Sequence, residues 1–152
     1  MRPTMGILAA ALVLGFAAPS LADASRLALV VGSNKALDPE LEPLRYADDD
    51  ALRTASLLRL VSDDVRVLVR PDEETEALLA KSGWAAPSRE AVLAALDALV
   101  AEGVRRADAG DDVSLYFVYS GHGNYDAEGR GYLHLEDGRL TLRDLFHPLV
   151  EP

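Results

Sequence analysis

Residues Val113–Asn124 read VSLYFVYSGHGN, an apolar run that breaks into Ser120-Gly121-His122-Gly123. A short run apolar on both faces is the pattern of a strand buried in the middle of a covered parallel sheet. In such sheets ligands and chemistry gather just beyond the carboxyl ends of the strands, which is where His122 falls. The glycines on either side carry no Cβ, so a ligand or a second loop can come close to the imidazole and to the backbone N–H groups. A single histidine beside a glycine turn is also a common structural feature, and Gly-His-Gly is only moderately specific. Its surroundings in the chain have to decide between the two.

Working outward, Arg26–Val31 (RLALVV), ended by Gly32, has the composition of a first buried strand. Ser33–Leu44 carries Pro39 and Pro43 and reads as a loop. Ala47–Leu60 places Ala47, Ala51, Leu52, Ala55 and Leu58 at helical spacing behind Asp48-Asp49-Asp50, an acidic first turn that suits the positive end of a helix dipole. Val65–Val69 is a second strand, and Pro71–Pro87 a long connection with a weak helical turn or two in Glu74–Ala80. Ser88 is a plausible N-cap for a helix striped by Val92, Leu93, Leu96, Leu99 and Val100 that fades near Gly103. Beyond His122, Gly131–Leu135 and Leu140 flank Asp137-Gly138 as a hairpin, and Thr141 caps a last helix with Leu142, Leu145, Phe146 and Leu149 on one face.

The order β-α-β-α-β with crossover helices predicts an α/β fold, a parallel-stranded sheet in a three-layer α/β/α arrangement. All strand ends then point one way, so Arg45, the Asp48 cluster and His122 become candidates for one cleft. Trp84 and Tyr125 lie in loops near it and are candidates to pack against a ligand. The third strand is expected at the centre of the complete domain, with one edge left unpaired in this chain.

A chain of 152 residues suits one domain, and a net charge of -10 argues against nucleic acid and anionic membrane surfaces as partners. Arg2, an apolar stretch from Met5 to Ala18 and the small-x-small pattern Ala22-Asp23-Ala24 predict a signal peptide over residues 1–24, cut after Ala24 or alternatively after Ala22. The mature domain, 25–152, is then exported, periplasmic or secreted, with no stable membrane association after cleavage. With Cys 0 there is no disulfide, no thiolate metal site and no lipoprotein anchor. His134 and His147 form no ligand cluster with His122 at a recognisable spacing, and no metal or cofactor is expected.

Taken together, RLALVVGSN, LRYADDDA, VSLYFVYSGHGN and GYLHLEDGRLTLRDLF resemble the caspase-like cysteine peptidase domain, the group that includes metacaspases and their bacterial relatives. The family's catalytic histidine falls on His122, and the L-x-x-A-x-x-D-A pattern of its first helix falls on Leu44, Ala47, Asp50 and Ala51. The resemblance implies hydrolysis of a peptide or protein by a cysteine and histidine pair. It makes His122 the acid/base, Gly123 a backbone donor to the oxyanion and Arg45 a loop residue lining the primary specificity pocket. A metacaspase-like calcium site at Asp48-Asp49-Asp50 is a fainter implication, since the helix dipole already explains those residues.

The sequence departs from the family at the nucleophile. The expected motif, of the type D-A-C-x-S/A-G, follows the next strand, and the chain stops at Pro152, where that strand should begin. Ser120 is in no G-x-S-x-G elbow, and Ser33 and Ser114 have no general base at a telling spacing. Two expectations follow. The first is the N-terminal part of an exported caspase-like cysteine endopeptidase whose cysteine segment is missing. The second is a non-catalytic caspase-like module that binds peptides or a partner protein.

Overall fold

The computed structural model describes residues 23–78 and 85–150. The expected signal segment falls almost wholly on residues 1–22 and Trp84 on 79–84, outside the described residues. Among the described residues no helix is long and apolar enough to cross a membrane.

Strand β1 (Ala24–Gly32) lies between β2 (Asp64–Val69) and β3 (Asp112–Ser120), all three parallel. Every residue from Leu27 to Val31 is wholly buried. Leu27, Leu29 and Val31 face one layer, whose core adds Val92, Leu96, Leu99 and Val100 of helix α3 (Arg89–Asp108). Val30 faces the other, with Ala51 and Ala55 of α1 (Ala47–Leu58). This alternation is the strand period of two, and it makes the α/β/α layering. Truncating a fully buried leucine such as Leu29 or Leu99 to alanine costs about 2–5 kcal/mol.

Of these three strands β1 is the central one, and β3 lies at the side with one edge unpaired among the described residues, as expected for this chain. From β1 the chain crosses by α1 to β2 and then returns over the opposite face by α3 to the far side of β1, so β1 is enclosed by its own successors. The burial of β3 matches this edge position: Asp112, Ser114 and Tyr116 are exposed while Val113, Leu115 and Phe117 are half-buried. Among the described residues the outer edge of β3 has no strand partner.

Helix α3 runs five residues past Gly103, where the sequence predicts fading. A Cβ at Gly103 would sit 3.5 Å from Val113 and 3.6 Å from Leu115, so the helix lies close against the sheet. Packing there outweighs the roughly 1 kcal/mol that glycine costs a helix interior. Ser88 caps this helix as expected, accepting from the Ala91 N–H.

A second sheet adds to the first, so the described strands form two three-stranded sheets and not one. It is antiparallel, in the order β4 (Gly123–Tyr125), β5 (Gly131–His134), β6 (Arg139–Thr141). The hairpin around Asp137-Gly138 joins β5 to β6, closed by the Leu135 N–H on the Gly138 carbonyl. Leu135 and Leu140 carry this sheet into the α3-side core. Helix α4 (Leu142–Val150) starts at a reciprocal cap: Thr141 Oγ1 accepts from the Asp144 N–H, and the Asp144 carboxylate accepts from the Thr141 N–H. Leu142, Leu145 and Phe146 share one face of this helix as expected, but that face is only partly covered. Leu145 packs on the core, whereas Leu142 and Phe146 are exposed.

Candidate functional site

The two crossovers run over opposite faces of the sheet, so the carboxyl ends of β1 and β3 border the point where the strand order reverses, the place where open α/β sheets form a crevice. The Ser33 N–H donates to the Ser120 carbonyl at 2.9 Å and ties the two ends together. The turn that follows is shaped by Gly121, where a Cβ would collide with the Tyr119 hydroxyl and come within 3.0 Å of the Ser33 carbonyl. Tyr119 therefore folds back beneath the turn. Its hydroxyl donates to the His134 carbonyl and lies 3.0 Å from the His122 carbonyl. Burial, opposed by that hydrogen bond, holds the phenol's pKa above its ordinary range.

His122 is partly exposed. Its Nε2–H donates to the Glu42 carbonyl at 2.9 Å, so the loop after β1 reaches across to the histidine and Nδ1 carries the lone pair of the neutral ring. The His134 N–H donates to the His122 carbonyl. In an antiparallel ladder hydrogen-bonding directions alternate, so the backbone N–H of the next residue, Gly123, points away from β5 toward the open side. A Cβ at Gly123 would meet nothing nearer than 3.6 Å.

Arg45 is exposed on the loop that supplies Glu42, and among the described residues no hydrogen bond or ion pair links it to His122. The Asp48 cluster does not share the cleft as expected. Asp48 is wholly buried and accepts from Asn34 Nδ2 at 2.8 Å and from the Asp72 N–H at 2.9 Å, while Asp49 accepts from Thr75 Oγ1. Asp48 ties the loops after β1 and β2 to each other, and Asp49 ties α1 to the short helix α2 (Glu73–Leu78) that follows β2. Ser33 is buried with its hydroxyl donated to the Lys35 carbonyl, and Ser114 lies six residues back along β3 from Ser120, about 20 Å away at strand rise.

The site holds one residue that sequence reasoning assigned no part in it. His134 stands opposite His122 across the β4–β5 ladder, the ring centroids 6.3 Å apart and nearly perpendicular. The signal was the period of two in Gly-Tyr-Leu-His, but the pairing partner of His134 depends on a register that β4, itself unpredicted, sets.

Beside Gly123 opens a groove of about 930 Å³ between the second sheet and α4, lined by Tyr125, Leu133, Leu142 and Leu145, with Arg130 and Arg143 among its polar residues. Tyr125 is 73% exposed there.

A turn bearing a histidine between glycines at the switch point of a parallel sheet, followed by a small antiparallel sheet, defines the class. Residues 25–151 match the caspase domain of peptidase family C14, and the chain belongs to that family. No curated protein and no solved structure matches it. The family match spans nearly the whole chain, which corrects the expectation that only the N-terminal part of such a domain is present. The expectation of a cysteine-type endopeptidase is corrected as well: the 152 residues hold Cys 0, so the thiolate that this chemistry requires is not available to the chain.

Proposed function

We propose that this chain is a non-catalytic caspase-like module that binds an extended peptide segment of a partner protein. The observation that carries the reading is the pairing of an ordered histidine turn, with the Gly123 N–H aimed outward, and an adjoining apolar groove in a chain without cysteine. A peptide lying past Gly123 would place a carbonyl on that N–H, one of its own N–H groups on His122 Nδ1, and apolar side chains against Leu133, Leu142 and Leu145. Arg45, exposed on the neighbouring loop, would select an acidic side chain.

The test is fluorescence polarisation of the full chain against a library of extended peptides carrying Asp, Glu, Arg or Lys, with mass spectrometry of each mixture. Saturable binding without cleavage is expected, weakened at least tenfold, about 1.4 kcal/mol, by Leu142→Asp. Arg45→Ala should weaken binding of acidic peptides alone. Cleavage lost on His122→Ala would overturn the non-catalytic reading, and a library with no binder would overturn the binding reading.

Export belongs to the same proposal and is supported by the apolar leader. Cleavage after Ala22 preserves the Ala24 pairing with Asp112 and the bond from the Asp112 N–H to the Asp23 carbonyl, whereas cleavage after Ala24 removes both. The N-terminus of exported protein, read by mass spectrometry, is therefore expected at Asp23; intact Met1 in the cytosol would sink the idea.

A further inference from the structure

His134 has no part in the proposed peptide contacts, yet it is the least comfortable polar group in the described structure. Its side chain is wholly buried, and among the described residues neither Nδ1 nor Nε2 has a hydrogen-bond partner. A neutral imidazole always carries one N–H, and leaving a buried donor unsatisfied costs about 1–3 kcal/mol. Leucine at the same place would avoid that cost.

The surroundings set what the ring can do. On its own strand Tyr132 packs against it in a tilted arrangement, 5.1 Å between ring centroids. From β6 comes Arg139, whose guanidinium sits 4.3 Å over the Tyr132 ring. His122 faces it from the β3–β4 turn, Asp38 acts on it from the β1–α1 loop, and Tyr119 of β3 holds its carbonyl. Burial first, then Arg139 and His122, lower the His134 pKa from its ordinary value, with Asp38 opposing.

We infer that His134 is an acid-sensitive latch on the candidate site, coupling its own proton uptake to the position of His122. When the ring is neutral it packs between Tyr132 and His122 and the turn is closed. A proton on either nitrogen creates a buried cation beside Arg139, and that charge is relieved when the ring moves to water. The backbone of His134 cannot move alone. Its N–H is bonded to the His122 carbonyl and its carbonyl to the Tyr119 hydroxyl, so opening pulls on the turn and on the contact between His122 Nε2 and the Glu42 carbonyl.

The direction of the effect follows from linkage. The unfolded chain takes up this proton near pH 6.5, the closed fold only at lower pH. The stabilisation is therefore complete above about pH 6.5 and is lost as pH falls through the lowered folded value.

The experiment is a pH titration of the full chain, following the histidine ring and backbone amide signals by NMR and the urea midpoint alongside. His134 is expected to titrate below about 6.5. The His122 and Gly123 amides should shift with the same midpoint, while amides of β1 stay unchanged. In that window unfolding should take up more protons in the wild-type chain than in His134→Leu. A His134 that titrates at or above its ordinary value, or His122 and Gly123 amides that do not follow it, overturns the inference. So does an undiminished acid step in His134→Leu. If the leucine variant fails to fold, His134→Gln supplies the non-titrating comparison, and the wild-type titration decides by itself. None of these readouts involves a peptide, so the latch and the proposed peptide binding stand or fall separately.

Discussion

The buried carboxylate of Asp48 accepts the Asn34 Nδ2–H at 2.8 Å, and Asn34 Oδ1 accepts the Ala47 N–H in return. The side chain of Asn34, thirteen residues upstream of Ala47, thus caps α1, whose own N-cap residue, Tyr46, makes no side-chain cap bond. The acidic triplet lies in the first turn of α1, where it suits the helix dipole, and Asp48 also knots two loops together, since its other oxygen takes the Asp72 N–H.

Asn34→Ala should therefore behave as the loss of a helix cap and of a partner to a buried carboxylate at once. A destabilisation of about 1–3 kcal/mol is expected in urea unfolding. Substituting the exposed Lys35 should leave stability within about 0.5 kcal/mol.

The two glycines around His122 should respond differently. Gly121→Ala drives a methyl into the Tyr119 hydroxyl and the Ser33 carbonyl and should cost about 1–3 kcal/mol. Gly123→Ala meets only ordinary contacts and should be tolerated. Equal unfolding midpoints for the two variants would mean that the turn is not packed as described.

Tyr119→Phe keeps the ring and removes the hydroxyl that bridges the His122 and His134 carbonyls. A loss of about 1 kcal/mol is expected. Faster hydrogen exchange should be confined to the β4–β5 ladder.

On α3, hydrogen bonds from Arg105 and Arg106 hold the Glu102 carboxyl down to about 2. A depressed folded value contributes stability above the unfolded pKa, near 4.3, and loses it as pH falls toward 2. The wild-type chain and Glu102→Gln should thus differ in urea midpoint at pH 6 and converge by pH 2. High salt should shrink the difference, because the pair is exposed.

The free edge of β3 carries no charge from Val113 to Tyr119, and edges of that kind pair with other chains. Light scattering at rising concentration should show self-association that Tyr116→Lys suppresses, since that side chain is 42% exposed on the strand. A chain that stays monomeric without the substitution would show that the edge is covered.

Periodicity and punctuation in the sequence were enough for the local elements. Apolar runs of strand length at Arg26–Val31 and Val113–Tyr119, the Ser88 cap and the Thr141 cap depend on neighbours a few residues away, and so does the place of His122 just beyond a strand. What no local pattern contains is which strand lies in the middle, because strand order follows from the faces on which α1 and α3 cross. The same holds for the meeting of Glu42, His122 and His134. Residues 80 and 12 positions from the histidine reach it only through the β1–β3 pairing and the β4–β5 register, and both are set when the core closes. The sequence alone therefore determined the family turn and the lack of a nucleophile, while the tertiary structure decided that a second, buried histidine sits beside the first. Side-chain chemistry is written residue by residue, but burial and proximity exist only once the chain has folded.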